Sequence, residues 1–216
     1  MEAVLARLQE AYGRPRLKSR RDPLDELILT VLSQNTNDTN RDRAYAALRA
    51  RYPRWEDVLA ATDQAVAGTI RSGGLANQKS RRIRRILASI QEARGELDLE
   101  FLRRYSVRRA TEYLAGFKGV GEKTINCVLL FSLGKAAFPV DTHIHRLAIR
   151  LGHAPEKADA AEVHQLMNEQ IPRRDYLPAH LNLIRHGRET CHARKPACGE
   201  CILLDVCPSA VDGKAR

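Results

Sequence analysis

The chain has 216 residues, of which 44% are hydrophobic and 29% charged, a composition typical of a globular protein with one large or two modest domains. Lys and Arg number 36 against 26 Asp and Glu, and the resulting net charge of +10 favours a polyanionic partner such as nucleic acid. Aromatic residues are only 5% of the chain, which argues against a single-strand binder built on stacked rings, and no apolar run approaches the 18 residues of a membrane span.

Helical periodicity dominates the chain from its start. Residues 1–10 lack the apolar core of a signal peptide and predict a short amphipathic helix, so we expect a protein of the reducing cytoplasm. The segment 24–33, LDELILTVLS, is apolar on most of its surface and predicts a helix buried inside a bundle. Later segments are amphipathic, with apolar positions such as Ile83, Ile86 and Ile90, and alternating β-branched runs are missing. The sequence therefore predicts an all-α fold.

Positive charge is concentrated in three runs, Arg14–Arg21, Lys79–Arg85 and Arg188–Lys195. A single run of this kind is usually a solvated helix face. Three runs in one basic chain instead favour a phosphate-binding surface.

Residues 109–133 predict a helix, a tight turn and a second helix. The turn contains Gly119 and Gly121 in the run GVGEKT, and glycine permits backbone conformations and close approaches denied to other residues. Amide groups at the start of the second helix can bind a phosphate, helped by the helix dipole. A plain helix–helix turn is the alternative interpretation.

Lys123 lies in the first turn of that second helix, where a cation opposes the helix dipole. This placement is unhelpful for stability, but it favours the neutral amine, the form that attacks carbon and forms a Schiff base. Lys123 is therefore a candidate nucleophile. The alternative is an exposed lysine that contacts a phosphate.

Asp141 precedes a predicted helix and follows the apolar run Phe138–Val140. Aspartate is a preferred N-cap residue, so capping is one interpretation. A partly buried carboxylate at this point can also accept a proton or stabilise a cationic, sugar-like transition state. His143 and His145 are predicted to form hydrogen bonds or to pack, not to bind a metal ion.

Four of the five cysteines, Cys191, Cys198, Cys201 and Cys207, are spaced C-x6-C-x2-C-x5-C. Four thiols so close together in a reducing compartment indicate a metal site. Because only one C-x2-C pair is present, the spacing favours a 4Fe–4S cluster over a structural zinc ion, which stays the competing hypothesis. Cys127 lies outside this block and is predicted to be a buried core residue.

The runs GVGEKT, VDTH and HGRETC, followed by the remaining cysteines, resemble endonuclease III in their order and spacing. The resemblance extends from about residue 22 to Cys207. It implies an all-α helix–hairpin–helix DNA glycosylase fold of two lobes with a DNA-binding cleft between them. One lobe is a helical bundle of residues 22–132, and the other is an iron–sulfur lobe of residues 1–21 plus 133–216. The four cysteines are implied ligands of a 4Fe–4S cluster.

The resemblance also implies a chemistry. Lys123 attacks the anomeric carbon of an oxidised pyrimidine nucleoside, releases the base and leaves a Schiff base, after which β-elimination nicks the strand. Asp141 helps to activate Lys123 and to stabilise the transition state. We therefore expect a monomeric base excision repair enzyme of the cytoplasmic nucleoid, acting on double-stranded DNA with damaged bases or abasic sites.

Further residues are implied at the DNA interface. Leu75 corresponds to the leucine that wedges into the duplex when the damaged base is flipped out, although a leucine buried beneath a turn is the alternative. An ungapped comparison places Asn35 where the family has a glutamine that fills the vacated space, with Gln34 one residue earlier. The other implied contacts are Gly119, Gly121, His143, Arg194 and Lys195.

Two rival functions fit less well. Adenine-mismatch glycosylases share the fold and the cluster, but they lack the lysine nucleophile and use a glutamate where this chain has Thr30. A non-catalytic DNA-binding protein with a redox-sensing cluster fits the basic charge and the cysteines. It does not explain the combination of Lys123 and Asp141.

Overall fold

The computed structural model describes residues 1–211, 214 and 215, and its regular structure is almost entirely helical, which confirms the predicted all-α class. The α-helices in the described residues are α1 (Glu2–Tyr12), α2 (Pro23–Leu32), α3 (Asp38–Arg51), α4 (Trp55–Ala60), α5 (Asp63–Thr69), α6 (Ala76–Arg94), α7 (Val107–Ala115), α8 (Glu122–Cys127), α9 (Thr142–Arg150), α10 (Ala160–Gln170) and α11 (Tyr176–Glu189).

Shorter elements complete the structure. A π-helical segment, Val128–Ser132, continues α8. The 3₁₀ turns are Arg71–Gly73, Glu100–Arg104, Arg173–Asp175, Cys198–Glu200 and Leu204–Val206. Two very short strands, β1 (Ala210–Val211) and β2 (Lys214–Ala215), pair in antiparallel orientation. None of the helices in the described part of the chain has the length and apolarity needed to cross a lipid bilayer.

The chain divides into two compact units. The bundle unit is Arg20–Leu133 and contains α2 to α8. The terminal unit combines Met1–Ser19 with Gly134–Arg216, so that it contains α1, α9, α10, α11 and the cysteine block.

The central helix of the bundle unit is α2. Asp22 caps its start, because the side chain accepts hydrogen bonds from the amides of Leu24 (2.8 Å) and Asp25 (3.0 Å). Pro23 occupies the first helical position, where a missing amide costs nothing. Every residue of α2 except Asp25 is buried. The prediction of a buried helix at residues 24–33 is thus confirmed, and α2 packs against α3, α6 and α8.

The terminal unit is organised around α11, which packs against both α1 and α9. Val4 and Leu8 are the buried positions of α1. The ring of the fully buried Phe138 makes edge contacts with Tyr176 and His180 of α11, at ring-centroid distances of 5.5 and 5.9 Å. These contacts fix the segment that precedes α9, and with it the position of Asp141 in the terminal unit.

Candidate functional site

The turn between α7 and α8 contains the two predicted glycines, and they differ. Gly119 has a left-handed backbone with φ 87°, and a Cβ atom there would lie 2.5 Å from Nε of Arg82. Gly121 is extended (φ −94°, ψ 175°), and a Cβ atom there would meet nothing within 4 Å. The expectation that both glycines adopt conformations denied to other residues is therefore wrong for Gly121, which forms the N-cap of α8.

Lys123 is the second residue of α8, so it lies in the first helical turn as predicted, and its side chain is half-buried. Close to it in the bundle unit is the buried carboxyl of Glu26 on α2. Burial raises the pKa of Glu26, and the charges of Arg21, Lys123 and Arg41 oppose that increase. The charge of Lys123 is thus near enough to act on a buried acid that the sequence did not reveal, because nothing in the apolar run of α2 distinguishes Glu26 from exposed acids.

Asp141 lies in the terminal unit and caps α9. One carboxylate oxygen, Oδ1, accepts hydrogen bonds from the amides of His143 and Ile144, both at 2.9 Å, and the residue is half-buried. The predicted N-cap is therefore observed, and its two amide donors fix the orientation of the carboxylate. The imidazole of His145 lies 3.0 Å from the carbonyl oxygen of Ala158, which agrees with the predicted hydrogen-bonding role of the histidines.

Two arginines of α9 hold the start of the cysteine block. Arg146 donates to the carbonyl of Cys191, from Nε at 3.0 Å and from Nη2 at 2.8 Å. Arg150 donates to the carbonyls of His192 (2.7 Å) and Ala193 (3.1 Å), and its Nη1 lies 3.3 Å from Sγ of Cys191. Sequence reasoning missed both arginines, because their acceptors lie more than 40 residues away along the chain. They fix the backbone that leads into Arg194 and Lys195.

The four predicted cysteine ligands line one cavity in the terminal unit. Apolar side chains, including Leu147, Leu151 and Leu203, form other parts of its wall. Cys127 is buried in α8 and does not belong to this cavity, as predicted. Among the residues that the structure describes, no three Cys, His, Asp or Glu side chains meet closely enough to bind a single metal ion. Four thiols that line one cavity match the four cysteine ligands of a 4Fe–4S cluster.

The electrostatics of the cavity also fit a cluster. Burial and the charges of the three neighbouring cysteines raise the pKa of Cys201. Four thiolates cannot share this apolar cavity without a compensating positive charge, and the irons of a 4Fe–4S cluster supply it. The sulfur of Cys201 also accepts the amide of Leu203 at 3.4 Å, the kind of donor that stabilises a ligating thiolate.

A buried histidine supports the same cavity. His186 of α11 places Nε2 3.5 Å from Sγ of Cys201, and its Nδ1 lies 3.0 Å from the hydroxyl of Tyr12 on α1. Burial lowers the pKa of His186 to about 4. A thiolate of Cys201 only accepts hydrogen bonds, so a proton on Nε2 of His186 would be directed at this sulfur.

Three of the predicted DNA-contact residues share an unusual backbone. Asn35 (φ 51°), Leu75 (φ 48°) and Lys195 (φ 51°) are the non-glycine residues with positive φ in the described part of the chain. This left-handed conformation costs residues such as leucine and lysine about 1–2 kcal/mol and asparagine less, and such strain is concentrated at functional sites. All three are exposed, and Leu75 is 47% exposed, so the alternative of a leucine buried beneath a turn is wrong.

The second basic run is not a continuous surface. Lys79 is only 2% exposed, and its Nζ donates to the carbonyls of Leu32 and Gly73, both at 2.7 Å. Arg82 donates from Nη1 to the side-chain oxygen of Gln34. Arg84 pairs with Asp63 at 2.6 Å. These side chains brace the bundle unit, and only part of Lys79–Arg85 is available to a phosphate.

Comparisons with known proteins agree with this description. Residues 28–173 match the model of the HhH-GPD superfamily of base excision DNA repair proteins, and residues 191–207 match the iron–sulfur binding domain of endonuclease III. Endonuclease III of Escherichia coli is 35% identical over 211 residues, which cover 94% of this chain and 92% of that protein.

Two further comparisons extend the match. A candidate DNA glycosylase of Arabidopsis thaliana is 44% identical over 174 residues, which cover 80% of this chain. The chain spans 59% of the length of that plant protein. A solved structure of a trapped endonuclease III–DNA covalent intermediate superposes with a TM-score of 0.83 at 28% identity, covering 96% of this chain and 93% of that one.

Proposed function

The chain belongs to the endonuclease III family, within the HhH-GPD superfamily of base excision DNA repair proteins, and on this premise we propose that it removes oxidised pyrimidines from double-stranded DNA and cleaves the abasic site through Lys123. As a member of this family it is a DNA glycosylase that carries a 4Fe–4S cluster. The oxidised pyrimidine substrate, the lysine mechanism and the DNA contacts described below are the proposal.

The position of Lys123 carries this proposal. It is a half-buried amine in the first turn of α8, immediately after a turn that Gly119 forms with a left-handed backbone (φ 87°). A trapped covalent intermediate is known for a related endonuclease III, and a covalent adduct requires a nucleophile. Thr30 occupies the position at which adenine-mismatch glycosylases have a glutamate. It is buried, and its hydroxyl donates to Glu26 at 3.4 Å, so the acid of the adenine-mismatch mechanism is absent at this position.

The proposed reaction begins with the neutral amine of Lys123. Nζ forms a bond to C1′ of the damaged nucleoside as the glycosidic bond breaks, and the base leaves with the bonding electron pair and takes up a proton. Nζ then loses a proton and the sugar ring opens, which gives a Schiff base. Loss of a proton from C2′ expels the 3′ phosphate, and water releases the lysine from the unsaturated sugar product.

Asp141 supports these steps in the proposal. Its carboxylate favours the cationic sugar that develops as the base departs, and it can take up the proton that the amine loses. The hydrogen bonds from the amides of His143 and Ile144 already hold this carboxylate in place, so the reaction needs no free energy to reorient it. The proposed role of the cluster is structural. Its four cysteines order the loop that carries Arg194 and Lys195, and the reaction steps do not use it.

Borohydride trapping tests the proposal. The probes are duplexes that contain an oxidised pyrimidine or an abasic site, because borohydride reduces the Schiff base to a stable cross-link. Wild-type protein is expected to cross-link, and Lys123→Ala is expected not to. Lys118→Ala is the matched control, since it removes an exposed lysine of the same turn and is expected to keep cross-linking. A wild-type protein that fails to cross-link, or a Lys123→Ala variant that still does, would refute the mechanism.

A panel of damaged duplexes tests the substrate class. Oxidised pyrimidines are expected to be released faster than a thymine or adenine in a mismatch under the same single-turnover conditions. Preferential release of a mismatched adenine would support the rival glycosylase class. DNA binding without release of any base would support the non-catalytic alternative.

A further inference from the structure

A buried lysine joins two loops of the bundle unit. The ammonium group of Lys79 lies between the carbonyl oxygen of Leu32, at the end of α2, and that of Gly73, at the end of a 3₁₀ turn. Both acceptors are uncharged, and taking a cation out of water for two neutral acceptors costs free energy. Burial and the nearby charge of Arg82 accordingly lower the pKa of Lys79 to about 8. Because burying the ammonium group of Lys79 costs free energy, we expect this residue to have a role other than stabilising the fold.

The two loops lead directly to exposed, strained residues. Asn35 lies three residues after Leu32, and Leu75 lies two residues after Gly73. A Cβ atom on Gly74 would lie 3.9 Å from the carbonyl oxygen of Asn35, so the two loops are in contact. The ammonium group therefore ties together the backbones that present Asn35 and Leu75.

A left-handed backbone at a non-glycine residue persists only when its surroundings determine it. The side chain of Lys79 supplies one such restraint on each loop, and its backbone supplies another at Leu75. Its side chain holds the carbonyls of Leu32 and Gly73, and its amide donates to the carbonyl of Leu75 at 3.0 Å in the first turn of α6.

From these contacts we propose that Lys79 is a positioning residue that holds Asn35 and Leu75 in the one arrangement able to enter a duplex when a damaged base is flipped out. The inference rests on the proposed function, because it assumes that these two side chains meet DNA. Lys79 itself touches neither the substrate nor the reacting atoms. It acts through the geometry of the two loops.

The replacement Lys79→Met separates this role from stability. Methionine fills nearly the same volume without the desolvation cost of a cation, which limits the loss of stability, while both carbonyls lose their donor. Lys79→Gln is a second variant, which keeps a hydrogen-bond donor but removes the charge. It replaces Lys79→Met in the test if that variant does not fold. The matched control is Ile90→Ala, which destabilises the same helix at a fully buried site away from both loops.

The readout compares two substrates in single-turnover reactions. One is a duplex with a paired oxidised pyrimidine, whose base must be flipped out, and the other is a single-stranded oligonucleotide with a preformed abasic site, which needs no wedge. We expect Lys79→Met to slow the duplex reaction by about tenfold or more, as loss of a charged donor to two carbonyls implies, and to leave the single-stranded reaction unchanged. Ile90→Ala is expected to affect both substrates equally.

A double variant completes the test. In a Leu75→Ala background one of the two positioned side chains is already absent, so Lys79→Met is expected to cause a smaller loss on the duplex than it causes in the wild type. Equal losses on both substrates for Lys79→Met, or full additivity with Leu75→Ala, would overturn the positioning role while the proposed function stands. A wild-type protein inactive on every lesion would instead overturn the proposed function, and this inference with it.

Discussion

Gly119 and Arg82 are packed so closely that a single added carbon would collide with the arginine. The site of a Cβ atom on Gly119 lies 2.5 Å from Nε and 3.0 Å from Cζ of Arg82, whose Nη1 also donates to Gln34. The guanidinium of Arg82, on α6, thus connects the turn before Lys123 with the loop after α2. The shape of the turn and the placement of the loop therefore depend on each other.

This packing predicts different outcomes for the two glycines of the turn. Gly119→Ala places a side chain at φ 87° and against Arg82, so we expect the free energy of unfolding to fall by at least about 1 kcal/mol. DNA affinity should fall as well, because Arg82 and Gln34 must move. Gly121→Ala meets open space at φ −94° and should destabilise the fold less, since only the weaker N-cap preference of alanine opposes it.

Denaturant unfolding and binding to an abasic-site duplex measure both effects. The two variants are matched, since each adds one methyl group to the same turn. Equal stability of Gly119→Ala and Gly121→Ala would contradict the close contact with Arg82.

The sequence predicted the features that depend on neighbours along the chain. The buried α2, the cap at Asp141 and the first-turn position of Lys123 follow from local patterns of polarity and capping, and all three are observed. The sequence predicts Lys79 as part of a basic, phosphate-binding surface, whereas its side chain is buried in the structure. Its burial depends on a carbonyl 47 residues away at Leu32, which no local pattern reveals.

The same reason explains other residues that the sequence did not reveal. Glu26 becomes a candidate site residue only because α8 brings Lys123 towards α2. Arg146 becomes one only because α9 packs against α11. The left-handed backbone of Leu75 is also set by packing, since leucine does not favour this conformation. The sequence could name the candidate nucleophile, but it could not name the residues that hold its surroundings.

Two cysteines provide a test of the cluster site. Cys198→Ser removes one of the four thiols that line the cavity, so we expect loss of the iron and of the yellow-brown colour of anaerobically purified protein. Stability should fall by several kcal/mol, because metal binding contributes to folding. Cys127→Ser is the control, since Cys127 is equally buried but lies outside the cavity, and it should keep its full iron content.

Iron analysis and visible absorbance measure this difference. Colourless wild-type protein with stoichiometric zinc would contradict the cluster. Loss of iron in Cys127→Ser would show that the block of four cysteines is not a sufficient ligand set.

The loop between Cys191 and Cys198 predicts a change in salt dependence. Arg194 and Lys195 are exposed on a backbone that Arg146 and Arg150 hold in place. If each contacts one phosphate, replacing both with alanine should make the plot of log association constant against log salt concentration shallower, with a slope less negative by about 2. Affinity should fall at low salt and converge with that of the wild type at high salt.

The control for net charge is a second double variant of the terminal unit. Replacing the exposed Lys157 and Arg173 with alanine removes the same charge away from this loop. Titration of a duplex at several salt concentrations separates the two cases. An equal change of slope in both double variants would mean that only net charge matters and that the loop makes no phosphate contact.

Glu26 predicts a pH dependence of stability. Burial raises the pKa of Glu26 above its ordinary value of 4.5, so the folded protein retains this proton to a higher pH than the unfolded chain. The stabilisation due to the protonated carboxyl is fully present below pH 4.5 and is lost as the pH rises through the folded-state pKa. Glu26→Gln stays neutral and keeps the size of the side chain. We therefore expect the variant to gain stability over the wild type progressively as the pH rises above 4.5.

Urea unfolding of both proteins from pH 4 to pH 8 measures this difference. Glu92→Gln is the control, because it removes an exposed carboxylate from α6 of the same unit and should not reproduce the trend. Parallel stability curves for wild type and Glu26→Gln would show that Glu26 is not held in an unfavourable environment. A growing gap would show that burial of Glu26 costs the bundle unit stability once the carboxyl ionises, as its raised pKa requires.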